Sequence, residues 1–229
     1  MPLTIAEVLK TSNSRTTTEV LTTSAGTAAG DKLAVFYGSD WFSLASMPEV
    51  TSSAGTPDPV RTVDAGTNVG HIKSYTIDVT TSGAKTVTIP AHVDADIFGV
   101  VLRISGSFTV DDDDGQFSAT GTVSHTAPSL TTTGADRLLV CCFLACDVNT
   151  GFTDPYVHPA GMTERAQPIA SPFAAMLVAT QDIVAAGSSG TRTATCFQAE
   201  PYAAISLALA GPADAAALPR TLSQYGGFF

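Results

Sequence analysis

SGAKTVTIP at residues 82–90 and SGTRTATCF at residues 189–197 are two versions of one phrase, a Ser-Gly turn followed by alternating threonine and apolar residues. Setting Ser82-Gly83 on Ser189-Gly190 fixes an offset of 107 (189 − 82), and Val87 and Ile89 then fall on Ala194 and Cys196. Thr86 and Thr88 fall on Thr193 and Thr195, so the same face is apolar in both copies, which is the period of a strand buried on one side. A second match follows near the end of each half. VVLRISG at 100–106 lies on ISLALAG at 205–211 with an offset of 105 (205 − 100), superposing Val100, Leu102 and Ile104 on Ile205, Leu207 and Leu209. A third, GDKLAVF at 30–36 on ADRLLVC at 135–141, again falls at 105. Three matches in one order at nearly constant spacing divide the chain into two related halves.

The rest of the sequence fits a β protein built on that repeat. The pattern predicts strands at about 17–22, 32–38, 70–79, 85–89 and 97–105. In the second half it predicts about 117–132 in one or two pieces, then 137–146, 174–184, 192–198 and 203–209. Thr, Val and Ile dominate these runs, because branched β-carbons suit a pleated surface. Clusters such as AGTAAGD, SSAGTPDP and TDPYVHPAG between them are turn and loop chemistry. The expected fold class is all-β: a jelly-roll-like β-sandwich at 16–211 made of related halves 16–107 and 117–211 joined by an acidic linker at 108–116. One domain is preferred to two tandem sandwiches, since neither half alone buries much.

One helix is expected, in an arm at residues 1–15. Thr4 and Glu7 have capping-box spacing, Leu3 can staple on Val8, and Ile5, Val8 and Leu9 make one apolar stripe. Two turns of helix do not stand alone in water, so the stripe covers a sheet edge or docks on a neighbouring subunit. The tail, 212–229, ends GGFF and poses the same choice for Phe228 and Phe229.

Composition narrows the function. With 229 residues, 44% hydrophobic and 14% charged, the chain is long enough to bury roughly 70% of its unfolded surface. A net charge of −10 excludes partners held by phosphate, so neither nucleic acid nor an anionic membrane is expected. The start MPLTIAEVLK has no basic segment followed by an apolar run, and no stretch approaches the ~18 apolar residues of a membrane span. The expectation is a protein made in the cytoplasm without an export signal. Three of the four cysteines sit in LLVCCFLAC, where thiols act as small core hydrophobes, and adjacent Cys141 and Cys142 on a strand point to opposite faces.

GDKLAVF, then a turn, SGAKTVTI and VVLRISG resemble the β-sandwich modules of minor tail and other virion proteins of actinobacterial tailed phages, also found in some secreted actinobacterial proteins. Those modules are written GDLLVAF, PPGWT, a G-x-x-x-T-V-T strand and a closing YRG-type strand. SHTAPSLTTTGADRLLVCCFLA, PAGMTERAQ and AGSSGTRTAT are similar to the segment that usually follows. The resemblance covers roughly 16–211, and SLASMPEV replaces its glycine-tryptophan turn. It implies a structural role and brings no catalytic residues.

No catalytic motif competes with that reading. G-x-S-x-G, H-E-x-x-H, paired C-x-x-C and a phosphate-cradling glycine loop are all missing from the sequence, and no cofactor is expected. His71, His92, His125 and His158 are scattered and read as surface residues. Asp111, Asp112, Asp113 and Asp114 concentrate hard oxygen ligands and are the one weak metal candidate, though they lack the spacing of a calcium loop and read better as a wet linker. Trp41 and Phe42 could stack on a sugar ring or anchor a loop in the core. The expected function is therefore that of a non-enzymatic structural protein of a tailed-phage virion. It would be a minor tail protein or exterior accessory subunit, homo-oligomeric in a symmetric assembly and held to tail or major capsid protein through Leu3, Ile5, Val8, Leu9, Phe228 and Phe229. A capsid decoration protein is the first alternative, and a glycan- or host-surface-binding module working through loops 39–59 or 147–168 is the second.

Overall fold

The computed structural model describes residues 2–14, 17–40, 47–65, 70–91, 95–146, 156–170 and 174–212, and every regular element among them is a β-strand. The first half contains β1 (Thr4–Ser14), β2 (Glu19–Thr22), β3 (Lys32–Ser39), β4 (Thr51–Ser52), β5 (Asp58–Asp64), β6 (His71–Asp78), β7 (Thr86–Ile89) and β8 (Asp96–Ser105). The second contains β9 (Thr109–Ala127), β10 (Thr131–Thr132), β11 (Arg137–Cys146), β12 (Thr163–Ala166), β13 (Ile169–Ala170), β14 (Ala174–Ile183), β15 (Gly187–Ser188) and β16 (Arg192–Ala210).

The two halves have the same topology. The first makes a large antiparallel sheet in the order β1-β8-β3-β6-β5 and a small one in the order β2-β7-β4. The second large sheet, read from its other edge, runs β9-β16-β11-β14-β12. Here β9 and β16 each do the work of two strands. Residues 109–118 of β9 pair with 202–210 of β16 as β1 pairs with β8, while 124–127 pair with 192–195 as β2 pairs with β7. Even the short β4 has its echo, because Val157 bridges Thr195 where Thr51 pairs with Thr88.

Irregularities repeat as well. In β1, Ile5 faces Ile104 and Glu7 faces Arg103, which makes Ala6 a bulge; in β9, Val110 faces Leu209 and Asp112 faces Ala208, which makes Asp111 the same bulge. Val60 bulges from β5 and Arg165 from β12 at matching registers. One sequence match needs shifting by a residue. Against their shared neighbours Lys32 corresponds to Leu138, an offset of 106 (138 − 32), so GDKLAVF lies one position along from its apparent match. Gly30 (φ 92°) then superposes on Asp136 (φ 55°), the left-handed position from which each of these strands is launched.

The central strands of each large sheet are buried on both faces. Ala34, Phe36, Val100 and Leu102 of the first and Val140, Cys142, Met176 and Leu207 of the second meet in a central cluster between the halves. On its other face the first sheet packs Leu33, Val35 and Ile77 against Leu21, Val50 and Val87 of its small sheet and loop. The second packs Leu139, Cys141 and Leu177 against Ala127, Leu130 and Ala194. This four-layer order explains LLVCCFLAC. A strand covered on both sides has no wet face and reads as a continuous apolar run, and Cys141 and Cys142 do point into different cores. The halves meet reciprocally: β5 of the first touches β9 of the second, β1 touches β12 and β13, β16 lies on β6 and β14 on β8. Such exchange is what a two-fold interface produces between separate subunits.

Two expectations are corrected. The helix expected in the N-terminal arm is strand β1, closing the edge of β8 by pairing from Thr4 to Ser14. The spacing from Ile5 to Val8 that imitates a helical stripe is strand alternation with the bulged Ala6 inserted, so Leu3, Ile5 and Val8 reach the central cluster and Leu9 the first half's own core. The expected acidic linker, 108–116, is likewise no linker: Thr109 onward is β9, an integral strand of the second sheet.

Candidate functional site

An internal duplication allows a comparison, because a residue type that differs between matching positions of the two halves is not dictated by the fold they share. On the inner face of β6, alternation presents His71, Lys73 and Tyr75 side by side. The corresponding positions of β14 are Ala175, Leu177 and Ala179, all inside the second half's core. The fold is therefore satisfied by an apolar stripe where the first half keeps a polar one.

Each member of that polar stripe is held by a carboxylate. Lys73 is only 8% exposed, and its Nζ donates to Glu49 Oε1 at 2.6 Å and to the Met47 carbonyl at 3.1 Å. The Tyr75 hydroxyl donates to Glu49 Oε2 at 2.6 Å. His71 Nδ1 lies 3.1 Å from Asp64 Oδ1, across the β5–β6 pairing. The bonds from Lys73 and then Tyr75 hold the Glu49 carboxyl below its ordinary range, while burial followed by the Glu49 charge pushes the Tyr75 hydroxyl up. Both carboxylates remain open to water, with side chains 67% exposed at Glu49 and 51% at Asp64. They border a groove of about 680 Å³ whose other walls are Met47, Pro59 and Thr62.

The second half has a buried polar cluster around His125. His125 occupies the position of Leu21 in the first half and is fully buried. Its ring stacks on Tyr202 at 4.4 Å between centroids, Nε2 lies 2.8 Å from the Thr122 carbonyl, and Nδ1 lies 2.7 Å from the Tyr156 hydroxyl. A carbonyl only accepts, so Nε2 carries the proton and Nδ1 accepts from Tyr156. Burial lowers the imidazole to about 4 from its ordinary 6.5, so it is neutral and structural at neutral pH.

The acidic run is also structural. Asp111 takes Arg137 Nε at 2.9 Å together with the Thr133 amide and hydroxyl; burial opposes its ionisation, but these bonds prevail and hold it low. Asp112 accepts the Thr131 amide, as Glu7 at the matching position accepts that of Ser24. Asp113 accepts Arg61 Nε at 2.5 Å across the seam between the halves, its backbone carbonyl takes the same guanidinium, and Asp114 accepts the Gly115 amide. At the pseudo-symmetric seam Arg61 and Asp113 are replaced by Ala166 and Val8, so an ion pair in one seam has apolar residues at the matching positions of the other. Among the described residues no group of three or more His, Cys, Asp or Glu could hold a metal ion.

Of the residues singled out in the sequence, Leu3, Ile5, Val8 and Leu9 are partly buried against the protein's own cores, and Trp41, Phe42, His92, Phe228 and Phe229 lie outside the described residues. The groove residues were missed, although HIKSYTID carries their signal: one strand face reads His, Lys, Tyr where a core strand reads apolar. No helix among the described residues is long and apolar enough to cross a membrane. No family model, curated protein or solved structure matches the chain.

Proposed function

We propose that the chain is a non-enzymatic structural subunit of a tailed-phage virion, built from two jelly rolls fused in tandem. The observation that carries this reading is the nested pairing in each half: first strand with eighth, second with seventh, third with sixth, the pattern of a long hairpin rolled up on itself and a common capsid and lectin architecture. Only the fifth strand departs, pairing with the sixth in the large sheet. His125 and the acidic run at 111–114 are absorbed by strand and seam contacts, which favours assembly over chemistry. The motifs of residues 16–211 that resemble actinobacterial phage minor tail proteins favour tail over capsid, with capsid decoration the alternative.

Because Leu3, Ile5, Val8 and Leu9 of the N-terminal segment pack, partly buried, on the protein's own cores, other surfaces are better placed for attachment. Val157 and Phe197 lie diagonally on neighbouring strands of the second half, 65% and 63% exposed, and form an apolar pair suited to a neighbouring subunit. Antibody-fragment labelling of intact particles viewed by electron microscopy tests the proposal. Label at the tail or its tip supports a minor tail protein, label spread over the head a decoration protein, and particles without label overturn the virion reading.

A further inference from the structure

We propose that the groove over β6 binds a neutral, hydroxyl-rich ligand, a terminal mono- or disaccharide, with Glu49 and Asp64 accepting from its hydroxyls. The inference stands on the groove and the duplication, and does not depend on where the protein resides.

Three observations carry it. The first is that the site is polar by choice rather than by need. A buried ammonium carries a desolvation penalty that a well-packed apolar residue avoids, and the second half puts Leu177 at the position of Lys73 within the same fold. The second is that the carboxylates are preorganised. Glu49 has one oxygen fixed by Lys73 and the other by Tyr75, which uses two of its roughly four acceptor positions and leaves the rest facing the groove. Asp64 stands behind it on β5, beside His71. Holding acceptors in place before the ligand arrives removes an ordering cost from binding.

Thirdly, one of the two carboxylates is charge-balanced. Glu49 is neutralised by a buried ammonium 2.6 Å away, so it offers directed lone pairs rather than a free negative charge that would select a cation, and Asp64 leaves the lining with one net negative charge. Directed acceptors call for hydroxyl donors. Thr62 adds a hydroxyl that both donates and accepts, while Met47 and Pro59 supply apolar walls for the C–H face of a sugar ring. At about 680 Å³ the groove lies within the ordinary range of small-ligand sites.

Titration of the isotope-labelled full-length protein with the methyl glycosides of glucose, galactose, mannose, N-acetylglucosamine and arabinose, followed by amide NMR, tests the assignment. The expected result is saturable shifts, at millimolar concentration, centred on Met47, Glu49, Thr62 and Tyr75 for at least one glycoside. Glu49→Gln and Asp64→Asn should each weaken that binding about tenfold, the loss that follows when a charged acceptor is removed. Asp64→Asn leaves the Lys73–Glu49 pair intact and keeps the test valid if Glu49→Gln unfolds. Shifts with none of the glycosides, shifts elsewhere, or equal binding by Asp64→Asn would overturn the proposal, as would saturable binding of methylammonium in their place.

Discussion

Gly115 closes the acidic run and sits where β9 meets β5 at the ionic seam, so Gly115→Ala probes the contact between the halves. A β-carbon there would lie 2.3 Å from Val63 Cγ2 and 3.4 Å from Arg61 Cγ, with the Ala204 carbonyl 3.5 Å behind it. No real contact is that short. Val63 is 5% exposed in the central cluster, and its branched side chain turns only by leaving its rotamer, so β5 has to shift away. Overpacking of this kind costs about 1–3 kcal/mol, against which a less flexible unfolded chain returns about 0.4–1 kcal/mol, for a net loss of about 1–2 kcal/mol. Val63→Ala alone removes two methyl groups and leaves a cavity, a loss of about 2 kcal/mol. The double variant should fill that cavity with the new methyl and be more stable than the sum of the single losses by at least about 1 kcal/mol. Urea unfolding followed by far-ultraviolet circular dichroism reads all four proteins. Strictly additive losses, or a Gly115→Ala variant as stable as the parent, would refute the close packing of the seam.

Four further outcomes follow from the same contacts. His125 refuses a proton until about pH 4 in the folded state but accepts one near 6.5 once unfolded, so its contribution is complete above pH 6.5 and about 3 kcal/mol is lost as the pH falls to 4; His125→Leu, copying Leu21, should flatten that part of a stability-against-pH curve while lowering stability at pH 7 by leaving the Tyr156 hydroxyl buried without its acceptor. Deleting residues 2–12 should yield unfolded or aggregated protein rather than a folded core with weaker attachment, because it bares the edge of β8 and uncovers part of two cores, as size-exclusion chromatography would reveal. All four cysteines are buried, and burial raises the Cys141 thiol to about 12, so an aromatic disulfide reagent should react with none of them until denaturant is added. Phe197→Ser should leave the melting temperature within error of the parent and reduce the number of copies per particle, measured by quantitative mass spectrometry of purified virions.

The repeat was legible because a strand's partners leave a period-two imprint, and the strands read at 32–38, 97–105 and 137–146 fall within a residue or so of β3, β8 and β11. What defeated the reading was irregular or non-local. A bulge adds one residue to a period of two and produces the spacing of three by which Ile5 and Val8 imitate a helix. DDDDG looks like a wet linker because the groups that satisfy it, Arg61, Thr131, Thr133 and Arg137, come from other strands and loops. DPVRTVD escaped notice as β5 since it carries a proline, a bulge and charges at an edge whose neighbour belongs to the other half. The groove was half legible: the alternation that makes HIKSYTID a strand also gathers its polar residues, but Glu49 and Asp64 reach them only through the fold.

Scanning calorimetry of the full chain tests whether the two repeats share a middle core and form one body. A shared core gives a single transition whose calorimetric enthalpy equals its van't Hoff enthalpy, since melting either half strips one face from the other's large sheet. Two separable transitions, each carrying about half of the heat, would contradict it.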